Sequence, residues 1–327
     1  MCAKESAESV LVTGIGGNVG QGILRNIRRS FPGLRLVGTD TGSLTAGHHF
    51  CDRFHDVPYS EDSSFGDRIA NICKRESVAL IIPSTDYETV YIGKMAAQLP
   101  PLLASPVNVA EMFLDKWRTF EACQKHAIPF VESALPSQYQ RQWSDVVVKP
   151  RRGRGSREIH RNPENIGAFD EGFVVQRLLR GPELTSAFYV SREGQTVATM
   201  TFVRELVDGT TERCSVTREY DAHVSTIVSR ITNAFTIVGP CNIQSIVDDD
   251  GQVVPFEVNC RYSGTNSIRA QFGFADVAWG VREHLYGEKV AEPQISSGSA
   301  IRILMDIVYP EKTLDQITPG GHDSYIF

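Results

Sequence analysis

The 327-residue sequence predicts an α/β unit with a doubly wound parallel sheet, followed by an α+β unit that is rich in antiparallel strands. Up to about Pro106, short β-rich runs alternate with helical segments, which is typical of a parallel sheet with crossover helices. Beyond Pro106, strand runs follow one another with few helices between them. The expected domains are residues 1–106 and 107–327, and the length suffices for each to bury its own core.

The elements of the first unit are short and bounded by turn residues. A glycine turn follows the first strand, and Asp40 closes the second. The predicted strands are 9–13, 34–39 and 78–82, and the predicted helices are 21–29 and 65–76.

The second unit is predicted to open with a helix over 107–120, with Asp115 and Lys116 near its end. A later helix covers about 224–238. The predicted strands are 144–149, 172–179, 184–191, 196–207, 241–247 and 252–260.

Composition excludes several classes of protein. A net charge of −6 and a pI of about 5.8 argue against a general nucleic-acid-binding surface. No run approaches the roughly 18 apolar residues of a membrane span, and the N-terminus is polar. The seven cysteines are scattered without a CxxC pair, which indicates reduced thiols in a cytoplasmic protein. We therefore expect no nucleic-acid or membrane partner.

The glycine turn Gly14–Gly20 has the pattern GxxGxxG, and Asp40 follows some twenty residues later. In a dinucleotide site such glycines admit a pyrophosphate, and the acid binds a ribose hydroxyl. This motif alone would suit an NAD(P)-dependent short-chain dehydrogenase or epimerase. Such an enzyme needs a Tyr-x-x-x-Lys pair, yet Tyr87, Tyr91 and Tyr139 all lack the lysine. Glycines that merely allow a tight turn and close helix packing are the alternative interpretation.

The strongest functional pattern is the segment PFEVNCR at residues 255–261. The two-residue period of a strand places Glu257, Asn259 and Arg261 on one face. The opposite face receives Phe256, Val258 and Cys260, of which the thiol is expected in the core. Carboxylate and amide oxygens suit Mg²⁺, and a guanidinium suits phosphate. A solvated strand face with surface ion pairs is the alternative.

The preceding strand extends this pattern. If a two-residue loop, Asp249-Asp250, closes the hairpin, Asn242 lies opposite Glu257 and Gln244 lies on the diagonal of the same face. A bulge or a different loop would change this register.

Lys149 ends an apolar strand and opens into a basic glycine loop, PRRGRGSR, at residues 150–157. The amides of such a loop, with a lysine at its base, form a cradle for phosphates. The lysine precedes the glycines, so this is not a Walker A loop. A flexible basic loop that touches solvent or nucleic acid is the alternative, and the acidic chain argues against nucleic acid. The loop's three arginines, Arg151, Arg152 and Arg154, exceed what phosphate binding needs and suggest an acidic substrate.

The order of these motifs along nearly the whole chain resembles the ATP-grasp superfamily, closest to its carbamoyl-phosphate-synthase-like and carboxylate–amine ligase members. The resemblance implies a pre-ATP-grasp domain over 1–106 and an ATP-grasp fold with two α+β subdomains over 107–327. Residues 121–180 would then be a mobile lid over the nucleotide.

The resemblance also implies roles for particular residues. The phosphates of ATP would contact Lys116 and Lys149, under a flap containing Gly153, Gly155 and Ser156. Adenine would be read by the hinge residues Gln176, Arg177, Leu178 and Leu179, and the ribose by Glu183. Mg²⁺ or Mn²⁺ would be held by Gln244, Glu257 and Asn259. Catalysis would fall to Arg261 and Lys149. Arg177 departs from the glutamate usual in relatives, which questions adenine selectivity if the side chain makes that contact.

The implied reaction activates a carboxylate with ATP and passes it to an amine, releasing ADP and phosphate. Both substrates would be small molecules, and a homodimer remains open. The substrate is expected at Gly264, Thr265, Arg269, Arg204 and Arg218. Besides the dehydrogenase, a non-catalytic ATP-binding protein is an alternative.

Overall fold

The computed structural model describes residues 8–153, 158–320 and 324–326. Its first unit is a four-stranded parallel sheet in the order β3-β2-β1-β4. The strands are β1 (Ser9–Val12), β2 (Arg35–Asp40), β3 (Arg53–Asp56) and β4 (Val78–Ile82). The helices of this unit are α1 (Asn18–Ser30), α2 (Phe65–Arg75) and α3 (Asp86–Gly93).

Both faces of the parallel sheet are covered, which explains why its central strands are apolar throughout. Val10 and Val12 pack into a core with α1, whereas Leu11 packs into a second core with α2. The predicted doubly wound sheet is confirmed. Strand β3 (RFHD) and helix α3 were not predicted, since β3 is polar and α3 lacks an apolar stripe.

The predicted helix 107–120 is wrong as a single element. It divides into α4 (Val107–Leu114) and α5 (Lys116–Lys125) at Asp115, which is extended. The Asp115 carboxylate accepts hydrogen bonds from the amides of Trp117 and Arg118 at 3.1 and 3.3 Å, and thereby caps α5. Lys116 consequently begins a helix and does not end one.

A small antiparallel sheet follows, in the order β5-β8-β6-β7. Its strands are β5 (Ser133–Ala134), β6 (Val146–Pro150), β7 (His160–Arg161) and β8 (Phe173–Arg177). Val146, Val148 and Val175 form its core against Phe169 and Phe173.

The largest sheet is antiparallel and has six strands in the order β13-β12-β9-β10-β11-β14. These are β9 (Glu183–Val190), β10 (Thr196–Val207), β11 (Thr210–Thr217), β12 (Gly239–Val247), β13 (Val253–Asn259) and β14 (Ser299–Ile301). Helix α6 (Asp221–Ala234) covers one face, where Cys260 lies in the core as predicted.

The remaining elements connect the two units. After α7 (Asn266–Arg269), helix α8 (Asp276–Leu285) places Val277 and Val281 in the core beside β1 of the parallel sheet. A short pair, β15 (Ile307–Val308) and β16 (Tyr325–Ile326), follows near the end of the chain. No helix in the described ranges is long and apolar enough to cross a membrane.

The predicted register of the β12–β13 hairpin is wrong. Gln244 pairs directly with Glu257, and Asn242 pairs with Asn259. The register shifts after Gln244, and the last pair is Val247 with Val253, so the loop is longer than two residues. The longer loop and the register shift each move the pairing by one residue. Together they restore the predicted facing, and the polar side chains still share a face. The bulge also brings Phe256 into the lining of the cleft described below, contrary to strict alternation.

Candidate functional site

A cleft of about 810 Å³ lies where the parallel sheet, the small antiparallel sheet and the six-stranded sheet meet. The carboxyl ends of the parallel strands form one wall, and the small sheet and the six-stranded sheet form the others. Most of the predicted site residues line it: Lys116, Lys149, Gly153, Gln176, Arg177, Leu178, Leu179, Glu183, Arg204, Gln244, Glu257, Arg261 and Gly264. Gly155 and Ser156 of the predicted flap, and Arg154 beside them, lie outside the described residues.

Two lysines provide the cationic end of the cleft. Lys149 projects from β6 and is only 7% exposed, with its Nζ 5.0 Å from the centre of the Phe256 ring. Burial, and then the neighbouring charge of Lys116, lower the pKa of Lys149 to about 8. Lys116 is equally buried, and its Nζ lies 3.9 Å from Oε2 of Glu257. Among the described residues, Lys116 has one ion pair, with Glu257, and Lys149 has none within 4.0 Å, which suits an incoming polyanion.

Glu257 is the carboxylate at this end. Burial alone would raise its pKa, but the positive charges of Lys116, Lys149 and Arg261 outweigh burial and lower the pKa. Glu257 is therefore ionised at neutral pH.

Asn259 and Arg261 extend the polar face of β13. The guanidinium Nη2 of Arg261 donates to Oδ1 of Asn259 at 3.0 Å, and its Nε donates to Oδ2 of Asp86 at 2.9 Å. Asp86 begins α3, so this ion pair joins the parallel-sheet unit to the end of β13, the strand predicted to hold Mg²⁺. Sequence reasoning missed Asp86, because it belongs to a helix whose pattern gave no signal and meets its partner only after folding.

Glu183 and Gln244 meet a shared partner, Arg204. Nη2 of Arg204 donates to Oε1 of Glu183 at 2.5 Å and to Oε1 of Gln244 at 2.8 Å. The arginine predicted for substrate thus lies among the residues predicted for ribose and metal.

The hinge at the end of β8 lines an apolar part of the cleft. The Gln176 amide nitrogen donates to Oγ of Ser133 at 3.0 Å and is buried. The Arg177 guanidinium pairs with Glu132 at 3.1 Å, and both side chains are largely exposed. The apolar lining here comprises Val131, Val147, Leu178, Leu179, Ile246 and Phe256. The guanidinium of Arg177 is paired with Glu132. The arginine that stands here in place of the usual glutamate therefore leaves the backbone of this hinge in place.

The predicted substrate residues do not gather at one place. Gly264 lines the cleft, but Arg218 is exposed outside the lining and donates to Asp221 and to the carbonyl of Ile295. Arg269 is fully buried and forms an ion pair with Asp276 at 2.5 Å, and it also donates to Thr265. Arg269 and Thr265 therefore serve a buried network.

The glycine turn and Asp40 form the far end of the cleft. A Cβ at Gly20 would lie 2.5 Å from the carbonyl oxygen of Gly14, so Gly20 is required by the close approach of α1 to the turn. The amide of Gly16 donates to Oδ2 of Asp40 at 2.6 Å. Packing and this internal hydrogen bond account for the motif that resembled a dinucleotide site.

A second acid at this end, Glu88 of α3, was not predicted. Burial raises its pKa to about 7, although hydrogen bonds from Thr85 and Thr13 act in the opposite direction. Thr85 Oγ1 donates to Glu88 Oε2 at 2.8 Å.

The donor set around Glu257 fits Mg²⁺. Glu257 pairs with Gln244 across the hairpin, and Asn259 lies two residues further along β13. The amide oxygens of Gln244 and Asn259 accept hydrogen bonds from Arg204 and Arg261. Within the part of the chain that the structure describes, no three His, Cys, Asp or Glu side chains cluster as a metal site. Mg²⁺ suits such a sparse set, because water and phosphate oxygens commonly supply most of its ligands.

Comparison with protein families agrees with this architecture. Residues 113–265 match the model of an ATP-grasp domain, and residues 10–99 match that of a PylC-like N-terminal domain. A comparison with curated proteins returns no significant match.

Several solved structures share the fold. N5-carboxyaminoimidazole synthetase from Staphylococcus aureus, complexed with ADP, has a TM-score of 0.74 at 11% identity, over 91% of this chain and 82% of that one. The biotin carboxylase domain of the Hydrogenobacter thermophilus 2-oxoglutarate carboxylase, complexed with MgADP, ADP and bicarbonate, gives 0.72 at 13% identity, over 98% and 85%. The L-amino acid ligase from Bacillus licheniformis gives 0.66 at 15% identity, over 85% and 74%.

The order of the sheets, the cleft between them and the likeness to these structures show the ATP-grasp fold. Within this fold, residues 113–265 match the ATP-grasp domain and residues 10–99 match the PylC-like N-terminal domain.

Proposed function

We propose that this protein is an ATP- and Mg²⁺-dependent ligase that activates a substrate carboxylate as an acyl phosphate and transfers the acyl group to an amine. ADP and phosphate are the other products. The observation that carries the proposal is one cluster in the cleft, in which Glu257 lies 3.9 Å from Lys116 and both lie beside Lys149 and Arg261.

In this proposal, the two buried lysines bind the phosphates of ATP. Lys116 and Lys149 neutralise the polyphosphate, and their burial excludes the water that would otherwise screen them. Phosphoryl transfer depends mainly on positioning and on charge stabilisation, and these groups are held in place before the nucleotide arrives.

Glu257 and Asn259, with Gln244 opposite, would hold Mg²⁺. The ion would neutralise charge on the phosphate oxygens. Arg261 would stabilise the transferring phosphoryl group and the acyl phosphate, and its contacts with Asp86 and Asn259 fix the direction of its guanidinium.

The nucleoside has a matching place next to the lysines. The apolar lining around the hinge suits adenine, and Glu183 would accept a ribose hydroxyl. The MgADP and ADP bound by the relatives support this placement. The proposed domains are a pre-ATP-grasp domain over residues 1–106 and an ATP-grasp domain over residues 107–327. Within the second, residues 121–180 would form the lid over the nucleotide.

The carboxylate and amine would occupy the end of the cleft beyond Arg261. Gly264 and Ser263 line that end, together with Asp86 and Glu88 of the parallel-sheet unit. The amino acid ligase among the relatives supports an amine as the acceptor.

The test measures ADP release by the wild type against a panel of carboxylic acids and amines. We expect ADP release that depends on one acid and increases with one amine. Glu257→Ala should abolish it while leaving the circular dichroism spectrum unchanged, and Glu205→Ala, at an exposed acid on β10 of the same sheet, should not. Normal ADP release by Glu257→Ala would refute the site. Thermal protection by ATP without ADP release from any acid would indicate a nucleotide sensor.

A further inference from the structure

Arg204 makes an unusual set of contacts for a residue at the edge of a cleft. Its Nε and Nη2 both donate to Oε1 of Glu183, at 3.1 and 2.5 Å, and Nη2 also donates to Oε1 of Gln244 at 2.8 Å. Nη1 is 3.5 Å from Oγ1 of Thr211. Only 10% of its side chain is exposed. All three guanidinium nitrogens are therefore engaged with this chain's own side chains.

The sheet explains how one side chain spans these partners. Arg204 on β10 pairs directly with Glu183 on β9, whereas Gln244 lies on β12, one strand further along. Because adjacent strands are about 4.8 Å apart, the guanidinium must cross above β9 to reach Gln244. Arg204 thus ties three neighbouring strands together at the cleft.

We propose that Arg204 is a positioning residue of the nucleotide site, which holds Glu183 toward the ribose and Gln244 toward the phosphates. This inference rests on the proposed function, because it assigns Glu183 to the sugar. It replaces the expectation that Arg204 binds the substrate carboxylate, since its donors are already used by a carboxylate of the protein.

The consequence of removing Arg204 differs from a general loss of packing. Glu183 would keep its place on β9 but lose the only ion pair that it makes among the described residues, so its carboxylate could rotate away from the sugar. Gln244 would lose the donor that orients its amide. Recognition of the ribose hydroxyl should therefore suffer more than recognition of the base and phosphates.

The test compares the binding of ADP with that of 2′-deoxy-ADP and 3′-deoxy-ADP by calorimetry, with Mg²⁺ present. We expect the wild type to bind ADP about 10-fold more tightly than the analogue that lacks the accepted hydroxyl, as for a hydrogen bond to a charged group. Arg204→Met should reduce this ratio to nearly 1. Arg213→Met, at an exposed arginine of β11, should retain the wild-type ratio.

The double variant Arg204→Met/Glu183→Gln removes the ion pair without leaving a charge unpaired, and it keeps the test valid if the single variant does not fold. Its ratio should equal that of Glu183→Gln alone. A wild-type ratio in Arg204→Met, equal weakening of all three nucleotides, or no sugar discrimination by the wild type would overturn the inference. A wild type that binds no ADP would instead overturn the proposed function.

Discussion

Lys149 shows how burial sets the chemistry of a single residue. Its ammonium group lies in a poorly solvated place beside Lys116, and both effects favour the neutral amine. With a pKa of about 8, Lys149 is mostly charged at pH 7 and mostly neutral at pH 9. A bound polyphosphate favours the charged form, so nucleotide binding and protonation of Lys149 are linked.

The affinity for ADP should therefore fall as the pH rises through about 8. Because the charged fraction decreases from roughly nine-tenths at pH 7 to about one-tenth at pH 9, we expect up to a roughly 10-fold increase in Kd. Calorimetry in buffers of different ionisation enthalpy should show proton uptake on binding at pH 8. Lys149→Arg, which stays charged, should lose most of this pH dependence. An equally steep pH dependence of the Kd in Lys149→Arg would show that a group other than Lys149 titrates.

Sequence periodicity could predict which residues of β13 share a face, because Glu257, Asn259 and Arg261 alternate along one strand. It could not predict their partners. Asp86 lies 175 positions from Arg261, and the role of Arg204 follows only from its contacts across two strands.

At the scale of elements, the turn before α1 depends on close backbone contact. A Cβ at Gly20 would lie 2.5 Å from the carbonyl oxygen of Gly14 and 2.7 Å from Cα of Ile15, and neither backbone atom can move independently. The turn also lines the cleft, so its shape influences the far end of the site.

Gly20→Ala should destabilise the protein by about 1–3 kcal/mol, because the overpacking outweighs the roughly 1 kcal/mol that alanine gains in a helix. Chemical denaturation measures the change in the free energy of unfolding. Gly33→Ala is the matched control, since nothing lies within 4 Å of its added Cβ, and its stability should change by less than about 0.5 kcal/mol. Equal stability of the two variants would show that the turn can relax.

The β12–β13 hairpin illustrates why element boundaries are easier to predict than register. Both strands were expected from their apolar runs, whereas the shift after Gln244 falls beside Pro255, whose missing N–H is compatible with a bulge but does not fix the register. The same bulge turns Phe256 toward Lys149, a contact that strict alternation had excluded.

At the scale of the whole molecule, the two units share one cleft and one core. Val277 and Val281 of α8 pack beside β1, although they lie late in the chain, and Arg261 pairs with Asp86 across the same boundary. The alternation of strands and helices predicted the parallel sheet, and the order of motifs predicted the ATP-grasp fold. The sequence could not predict that α8, late in the chain, completes the core of the first unit, because that packing joins distant segments with ordinary apolar patterns.

The central claim is that the cationic end of this cleft binds a nucleotide together with Mg²⁺ through Glu257. Calorimetric titration of the wild type and of Glu257→Ala with ADP, with and without Mg²⁺, tests it most directly. We predict that Mg²⁺ strengthens ADP binding to the wild type and that Glu257→Ala loses this dependence. Failure of the wild type to bind ADP, while it binds NADH or NADPH tightly, would contradict the claim.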